Sequence, residues 1–222
     1  MSSRRPTMDV AIIGAGNVGA ALAASLSGAG HSVTISSRTQ DKAEAVARET
    51  GATAARSNRD AVERADVVIL AVPYPTLDEV VRELGGTLDG KVVVDPMNRF
   101  NPNDPAETID GSSATEELQS KMPRARVVKA FNYLFASRMA DPSVDGIELD
   151  AYIAGEDEAA KEQVAELTRT IGLRPVDVGG LAMSRALEAL GTLNIVANMQ
   201  NGWPWGSSWK LVGPTDASGR GA

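Results

Sequence analysis

The feature that most constrains this chain is a short turn, Gly14-Ala15-Gly16-Asn17-Val18-Gly19. It directly follows an apolar run from Asp9 to Ile13 that reads as a buried strand. It directly precedes the small-residue stretch Val18 to Ala29, which reads as a helix closed by Gly30. Gly14 permits the tight turn, Gly16 lets the backbone approach a pyrophosphate, and Gly19 lets the helix pack close to the strand. The free N–H groups at the helix start then face phosphates, with Ala15, Asn17 and Val18 completing the loop. Glycines at this spacing also occur in purely structural turns. The strand before, the helix after and a second strand beyond make dinucleotide binding the stronger reading here.

The second strand, Ser32 to Ser36, selects between dinucleotides. A site for NAD usually places Asp or Glu at the end of this strand, about 20 residues past the glycines, to hold the ribose hydroxyls. This chain has Ser36-Ser37-Arg38 there, and Lys42 one turn further on. Arg38 and Ser37 can hydrogen-bond a 2′-phosphate, so the pattern favours NADP(H). Cations at a helix N-terminus oppose its dipole, which argues against these residues being mere solvated helix starters.

The same alternation continues along the chain. Helices are expected at Gln40 to Thr50, Arg59 to Ala65, Leu77 to Leu84, from Ser113 (capping-box spacing with Glu116) to Met122, Glu158 to Ile171, and about Ala182 to Gln200. The last is apolar at Leu187, Leu190, Leu193 and Val196, as in an amphipathic helix. Strands are expected at Ala52 to Ala55 (weakly), Val67 to Val72, Lys91 to Asp95, Arg126 to Ala130, Tyr152 to Ala154 and Arg174 to Val178. Pro96 to Ser112 is rich in Pro, Asn, Asp and Gly and reads as a long surface loop. Strands alternating with helices imply an α/β fold of the Rossmann type, a doubly wound, mostly parallel sheet with helices on both faces and a small C-terminal helical segment. The expected organisation is an NADP-binding domain over residues 8–145, an α/β extension over 146–213 that forms the substrate cleft in the same compact unit, and a flexible Gly/Ser-rich tail over 214–222.

Composition removes several function classes. A net charge of −7 with no basic patch argues against nucleic acid. The apolar runs are far shorter than the ~20 residues of a membrane span, and Arg4-Arg5 precede no secretory segment, so a cytoplasmic location is expected. The absence of cysteine excludes thiolate metal sites, iron–sulfur clusters and a cysteine nucleophile, and no metal site is expected. His31 is the sole histidine and sits between Gly30 and a strand, a structural position; a serine hydrolase triad is thereby disfavoured.

Other candidate residues lie at the carboxyl ends of strands, where doubly wound sheets bind ligands. Ala71-Val72-Pro73 end the fourth strand, although Pro73 also serves simply to stop it. Met97 and Asn98 end the fifth, and Asn98 can contact the nicotinamide ribose or amide. No catalytic residue is certain; Asn132, Lys129 and Tyr133 are the weak candidates, the last two as a general acid. No tyrosine is followed four places later by lysine, which argues against the short-chain dehydrogenases. All three tryptophans fall in Trp203-Pro204-Trp205 and Trp209, either to stack on a planar ring or, the commoner use, to pack in a core or subunit interface.

Taken together, these residues resemble the coenzyme F420-dependent NADP oxidoreductase family. The likeness runs from Val10 to about Val212. It rests on the glycine turn, on Ser37-Arg38 with Lys42, and on Gly172-Leu173-Arg174-Pro175-Val176-Asp177-Val178-Gly179 running into Ser184-Arg185. The cytosolic domain of the STEAP metalloreductases looks like the same fold. Asp95-Pro96-Met97-Asn98-Arg99-Phe100 and Asn132, where a histidine is familiar, differ from the archaeal members. The resemblance implies hydride transfer between NADP(H) and a 5-deazaflavin, coenzyme F420, and a homodimer. It also implies that Ala130, Phe131, Asn132, Tyr133 and Leu134, with the final helix and Trp203, wall the substrate cleft. Two other readings stay open: an NADPH-dependent reductase of a small carbonyl, imine, flavin or ferric chelate, and a non-catalytic NADPH-sensing module. A large helical second domain, usual in β-hydroxyacid dehydrogenases, does not fit into the residues left after the sheet.

Overall fold

The computed structural model describes residues 7–108, 111–213 and 215. Its first half follows the expected alternation: β1 (Asp9–Ile13), α1 (Asn17–Gly28), β2 (Ser32–Ser36), α2 (Gln40–Thr50), β3 (Thr53–Ala54), α3 (Asn58–Val62), β4 (Val67–Leu70), α4 (Leu77–Leu84) and β5 (Val92–Asp95). Then come α5 (Ala114–Lys121), β6 (Arg126–Lys129), α6 (Ala136–Ala140), the hairpin β7 (Ser143–Val144) and β8 (Ile147–Glu148), β9 (Asp150–Gly155), α7 (Glu158–Thr170), β10 (Arg174–Asp177) and α8 (Ser184–Asn201).

Eight strands form one sheet in the order β10-β9-β6-β5-β4-β1-β2-β3. The chain winds outward from β1 through β2 to β3, then returns over α3 to place β4 on the other side of β1. The crevice between the carboxyl ends of β1 and β4 is therefore the topological switch point, where ligands of doubly wound sheets lie. The central strands are apolar at consecutive positions because both faces are covered. Val10, Ile12, Ile35, Ile69, Val94 and Val128 pack on one face with Leu22 and Leu26 of α1; Ala11, Ile13, Val68, Leu70, Val93 and Val127 pack on the other with Val80, Leu84 and Leu118.

Local chemistry sets the element ends. Ser57 and Asp157 accept hydrogen bonds from the backbone N–H groups of Asp60 and Ala160, capping α3 and α7. The expected capping box of α5 forms, with Ser113 and Glu116 bonding to each other's backbone N–H. Past the C-terminal end of α1, Gly30 lies at φ 90°, and the His31 N–H closes onto Leu26 O at 3.0 Å.

Several expectations shift. The fourth strand stops at Leu70, so Ala71–Pro73 lie beyond it at the crevice, and the third contributes only Thr53 and Ala54. The long loop holds one 3₁₀ turn, Pro105–Thr108. A short α6 and the β7–β8 hairpin appear where no element was expected. β9 starts at Asp150 and pairs antiparallel with β6, while β10 pairs parallel with β9. The cause lies in α6. A parallel return needs a crossover of a dozen or more residues, usually helical, and this five-residue helix spans only ~7.5 Å, so the chain turns back at the carboxyl edge. The expected tail, 214–222, lies outside the described residues except for Thr215.

The final helix differs most. Leu187 is buried, but Leu193 is 54% exposed, and the inward face carries Ser184, Glu188, Gly191, Thr192, Asn194 and Asn198. α8 lies over the segments leaving β5 and β6, whose free backbone carbonyls require polar partners. Asn132 Nδ2 donates to Leu187 O at 2.7 Å, and Asn194 Nδ2 donates to Tyr133 O at 3.1 Å. Among the described residues no helix is long and apolar enough to cross a membrane.

His31 is a buried joint. Its Nδ1 accepts the Met8 N–H at 3.2 Å, which makes Nε2 the protonated nitrogen, 2.9 Å from Thr170 Oγ1. Burial lowers its pKa below 6.5, against the weaker pull of Glu166. The neutral ring is thus favoured on folding, and its contribution is complete above pH 6.5 and lost as the pH falls from there through the folded-state pKa. The thermal midpoint of the wild type should fall with pH over that interval, and His31→Gln should flatten this part of the profile. An unchanged slope in the variant would contradict the assignment.

Candidate functional site

The crevice at the switch point opens into a trough made of three adjoining cavities. The first, of about 220 Å³, is lined by Gly14, Ala15 and Gly16, by Ser37, Arg38 and Lys42, and by Ala71, Val72 and Pro73. The middle one, of about 250 Å³, shares Gly16 and Ala71–Pro73 with it and adds Asn17, Val18 and Pro96. The third, of about 460 Å³, shares Asn17, Val18 and Pro96 with the middle one and extends to Asn98, Phe131–Ser137, Gly191 and Trp205. A continuous path thus runs from Arg38, past the start of α1, to the edge of α8.

Each glycine of the turn has a distinct physical reason. Gly14 has φ 112°, and a Cβ there would collide with the carbonyl of Ala71; its N–H donates to Ser36 O at 3.0 Å. At Gly19 a Cβ would collide with the carbonyl of Gly14, so α1 can approach β1 only without one. A Cβ on Gly16 would meet nothing within 4 Å, because this residue faces the open trough. No side chain caps α1, and its first turn carries no acidic residue. Its leading N–H groups and positive dipole end are left for an anion.

At the far end of the first cavity Arg38 and Lys42 enter no ion pair with any described residue, and both are exposed. The opposite wall comes from α4 and its lead-in, through Thr76, Glu79, Val80 and Glu83. Ser36 lies fully buried beneath the cavity rather than in it. Its Oγ donates to Asn58 Oδ1 at 2.7 Å, and Asn58 Nδ2 donates to Glu83 Oε2 at 2.7 Å. Asn58, Glu79 and Glu83 were not singled out from sequence, since each reads there as an ordinary polar helix residue.

The third cavity has a different character. Asn98 and Asn132 form a reciprocal pair: Asn98 Nδ2 donates to Asn132 O at 2.6 Å, and Asn132 Nδ2 donates to Asn98 Oδ1 at 2.8 Å. Gly191 of α8 is what lets the helix approach, because a Cβ there would lie 2.8 Å from Asn98 Oδ1. An isolated glycine inside a helical pattern was the available signal for this contact. Phe131, fully buried, holds φ 67°, which a bulky side chain seldom adopts without a local reason.

Both general-acid candidates are placed against that role. Lys129 is fully buried and lines no part of the trough; its Nζ reaches Met97 O at 2.5 Å, Glu188 Oε1 at 2.9 Å and Asp95 Oδ2 at 3.3 Å. Asp95 also accepts from Thr115 Oγ1 at 2.6 Å and from the Met97 N–H at 2.7 Å. Tyr133 borders the cavity, but its side chain is buried, and its hydroxyl donates to Asp150 O at 2.6 Å and accepts the Tyr152 N–H at 3.1 Å. Burial drives its pKa far up, so it holds its proton. Met97 and Ala130 are also buried off the trough, Gly19 serves the helix contact, and the third cavity is bordered by Pro204 and Trp205 rather than Trp203. Arg185 stands apart as a surface tie. Its guanidinium holds Glu116 at 2.6 and 2.8 Å and keeps that carboxyl down at about 2, with help from Ser113 against burial.

Comparison with known proteins identifies the family. The family described as NADP oxidoreductase, coenzyme F420-dependent, matches residues 9–99. The F420-dependent NADP reductase of Methanocaldococcus jannaschii is 31% identical over 211 residues, 87% of this chain and 93% of that one. The chain belongs to this family. An Arthrobacter crystal structure, provisionally described as an F420-dependent NADP reductase, superposes with a TM-score of 0.81 at 27% identity, covering 92% of this chain and 99% of that one. The metalloreductase STEAP3 of Rattus norvegicus is 31% identical over 82% of this chain, which spans 36% of that longer protein. As a member of this family the protein is an NADP-dependent oxidoreductase with a Rossmann-type fold.

The trough offers features suited to NADP(H): open backbone at Gly16, where a diphosphate could approach, and beside Ser37 two cations that form no ion pair with any described residue, where a 2′-phosphate could sit. Arg38→Ala should weaken NADPH binding about 10- to 100-fold, the worth of a charge-assisted hydrogen-bond pair, and leave NADH nearly unchanged. Titration of both nucleotides checks this, and equal losses would refute the 2′-phosphate contact.

Proposed function

We propose that this protein transfers hydride between NADP(H) and a flat redox cofactor, coenzyme F420, held in the third cavity. The observation that carries this reading is the lining of that cavity. Aromatic and apolar side chains wall it, three amides and a serine supply polarity, and its one titratable group, Tyr133, has its hydroxyl engaged elsewhere. Reducing a carbonyl or imine calls for a proton donor at the new alcohol or amine, within hydrogen-bond reach. The cavity presents none. Hydride passage between two stacked rings needs only orientation and exclusion of water.

On this reading the roles divide along the trough. Ser37, Arg38 and Lys42 hold the 2′-phosphate, and Gly14 to Val18 hold the diphosphate. Ala71, Val72, Pro73 and Asn98 flank the ribose and nicotinamide, which supplies the hydride when bound. Phe131, Asn132, Tyr133 and Leu134 form the floor under the acceptor. The buried Lys129–Asp95–Glu188 cluster keeps the turn at Pro96–Asn98 and helix α8 in register above that floor. The name of the Methanocaldococcus relative supports F420 as the acceptor.

Rapid mixing of the protein with NADPH and, separately, oxidised F420, FMN, a ferric chelate, a ketone or a cyclic imine tests the proposal. The expected result is reduction of F420 at a rate well above that of any carbonyl or imine. Turnover confined to a carbonyl or imine, or tight NADPH binding with no turnover of any acceptor, would overturn it; the second outcome is that of a sensing module.

A further inference from the structure

The segment after α8 is a strap rather than a tail. It leaves the helix at Gly202, whose φ is 62°, and runs back so that Pro204 and Trp205 border the third cavity beside Phe135 and Ser137. The Trp205 ring meets Phe135 edge-on, 5.3 Å between centroids at 83°. Its backbone is left-handed at φ 53°, and 46% of the residue stays exposed. An indole held in an uncommon backbone conformation without being buried is poorly explained by core packing. Trp209 does pack against the core, and Trp203 lines none of the three cavities of the trough, so the tryptophan cluster divides into different tasks.

Polar bonds, together with Trp209 against the core, hold the strap in place. Ser137 Oγ donates to Trp205 O at 2.9 Å, and Arg138 Nε donates to Gly206 O at 2.6 Å. Ser207 Oγ donates to Asn194 Oδ1 at 2.6 Å and accepts from Asn198 Nδ2 at 2.7 Å. At the far end everything converges on Asp150, which is fully buried. Its carboxylate receives Lys210 Nζ at 2.8 Å, the Leu211 N–H at 2.7 Å and the Arg174 guanidinium at 2.7 and 2.8 Å. Through its own carbonyl the same residue accepts the Tyr133 hydroxyl beneath the cavity. Asp150 is thus tied at once to Tyr133 in the floor and to the strap that carries Trp205.

Resting on the proposed planar acceptor, we infer that Trp205 contacts the acceptor ring and sets the selectivity of this cleft for flat aromatic molecules. Asp150 is a positioning residue that fixes the strap, and hence Trp205, at the right distance from the floor. The cavity lining carries no charged side chain, so ring contact supplies most of the recognition.

The test compares wild type with Trp205→Ala, Trp205→Phe, Lys210→Met and Lys210→Arg. Acceptor KM, kcat, NADPH Kd and tryptophan quenching by oxidised F420 or FMN are measured on each. Trp205→Ala should raise acceptor KM about tenfold with NADPH Kd unchanged, and Trp205→Phe should fall between it and wild type while losing much of the quenching. Lys210→Met, which leaves the Asp150–Arg174 pair in place, should raise acceptor KM alone, and Lys210→Arg should restore it. Unchanged acceptor KM and quenching in Trp205→Ala would overturn the inference while the function stands. A wild type that neither reduces nor is quenched by any planar acceptor removes the functional reading, and this inference with it.

Discussion

The structure depends on one close approach, that of the α1 start to the carboxyl ends of β1 and β4. Two backbone carbonyls, of Gly14 and Ala71, occupy the space where side chains at positions 19 and 14 would otherwise stand. Because neither residue has one, the helix axis aims its uncapped N–H groups into the crevice created by the reversal of strand order. An anion gains there both hydrogen bonds and the helix dipole, and the residues beyond β2 extend the positive field with Arg38 and Lys42.

The other end of the trough is organised by charge in the interior. Lys129 lies between Asp95 and Glu188 with no access to water, tying β5, β6 and α8 together. Such clusters add little net stability relative to an apolar core, because desolvation offsets attraction, but removing one partner costs about 3–5 kcal/mol. Here the cluster fixes where the Asn98–Asn132 pair sits, with Gly191 admitting α8 to within contact. Geometry at the cleft is thereby set by residues that never face it.

Much of this was legible in the sequence, and unevenly so. The glycine turn, the serine–arginine end of β2, the Ser113–Glu116 cap and the central strands were readable because each depends on neighbours within a few residues. Local signals could not show that β9 would reverse direction, because this follows from the shortness of α6. Nor could they show that α8 would turn its polar side inward, since this depends on which carbonyls lie beneath it. Lys129 and Tyr133 looked like proton donors because sequence reports residue type but not access; Asp95, Glu188 and the Asp150 carbonyl had already engaged them. Trp203 and Trp205 are two residues apart, and only the path of the strap after Gly202 tells which of them reaches the cavity.

The central claim is that the adenosine end of NADP is held by cations beside Ser37 while its diphosphate rests on the α1 start. The ³¹P resonance of the 2′-phosphate, followed through a pH titration of the bound nucleotide, reads that contact directly. Paired with Arg38 and Lys42, the phosphate should complete its second ionisation well below the ~6 expected in water, because nearby cations favour the dianion. A bound 2′-phosphate that titrates as it does free in solution would contradict the account.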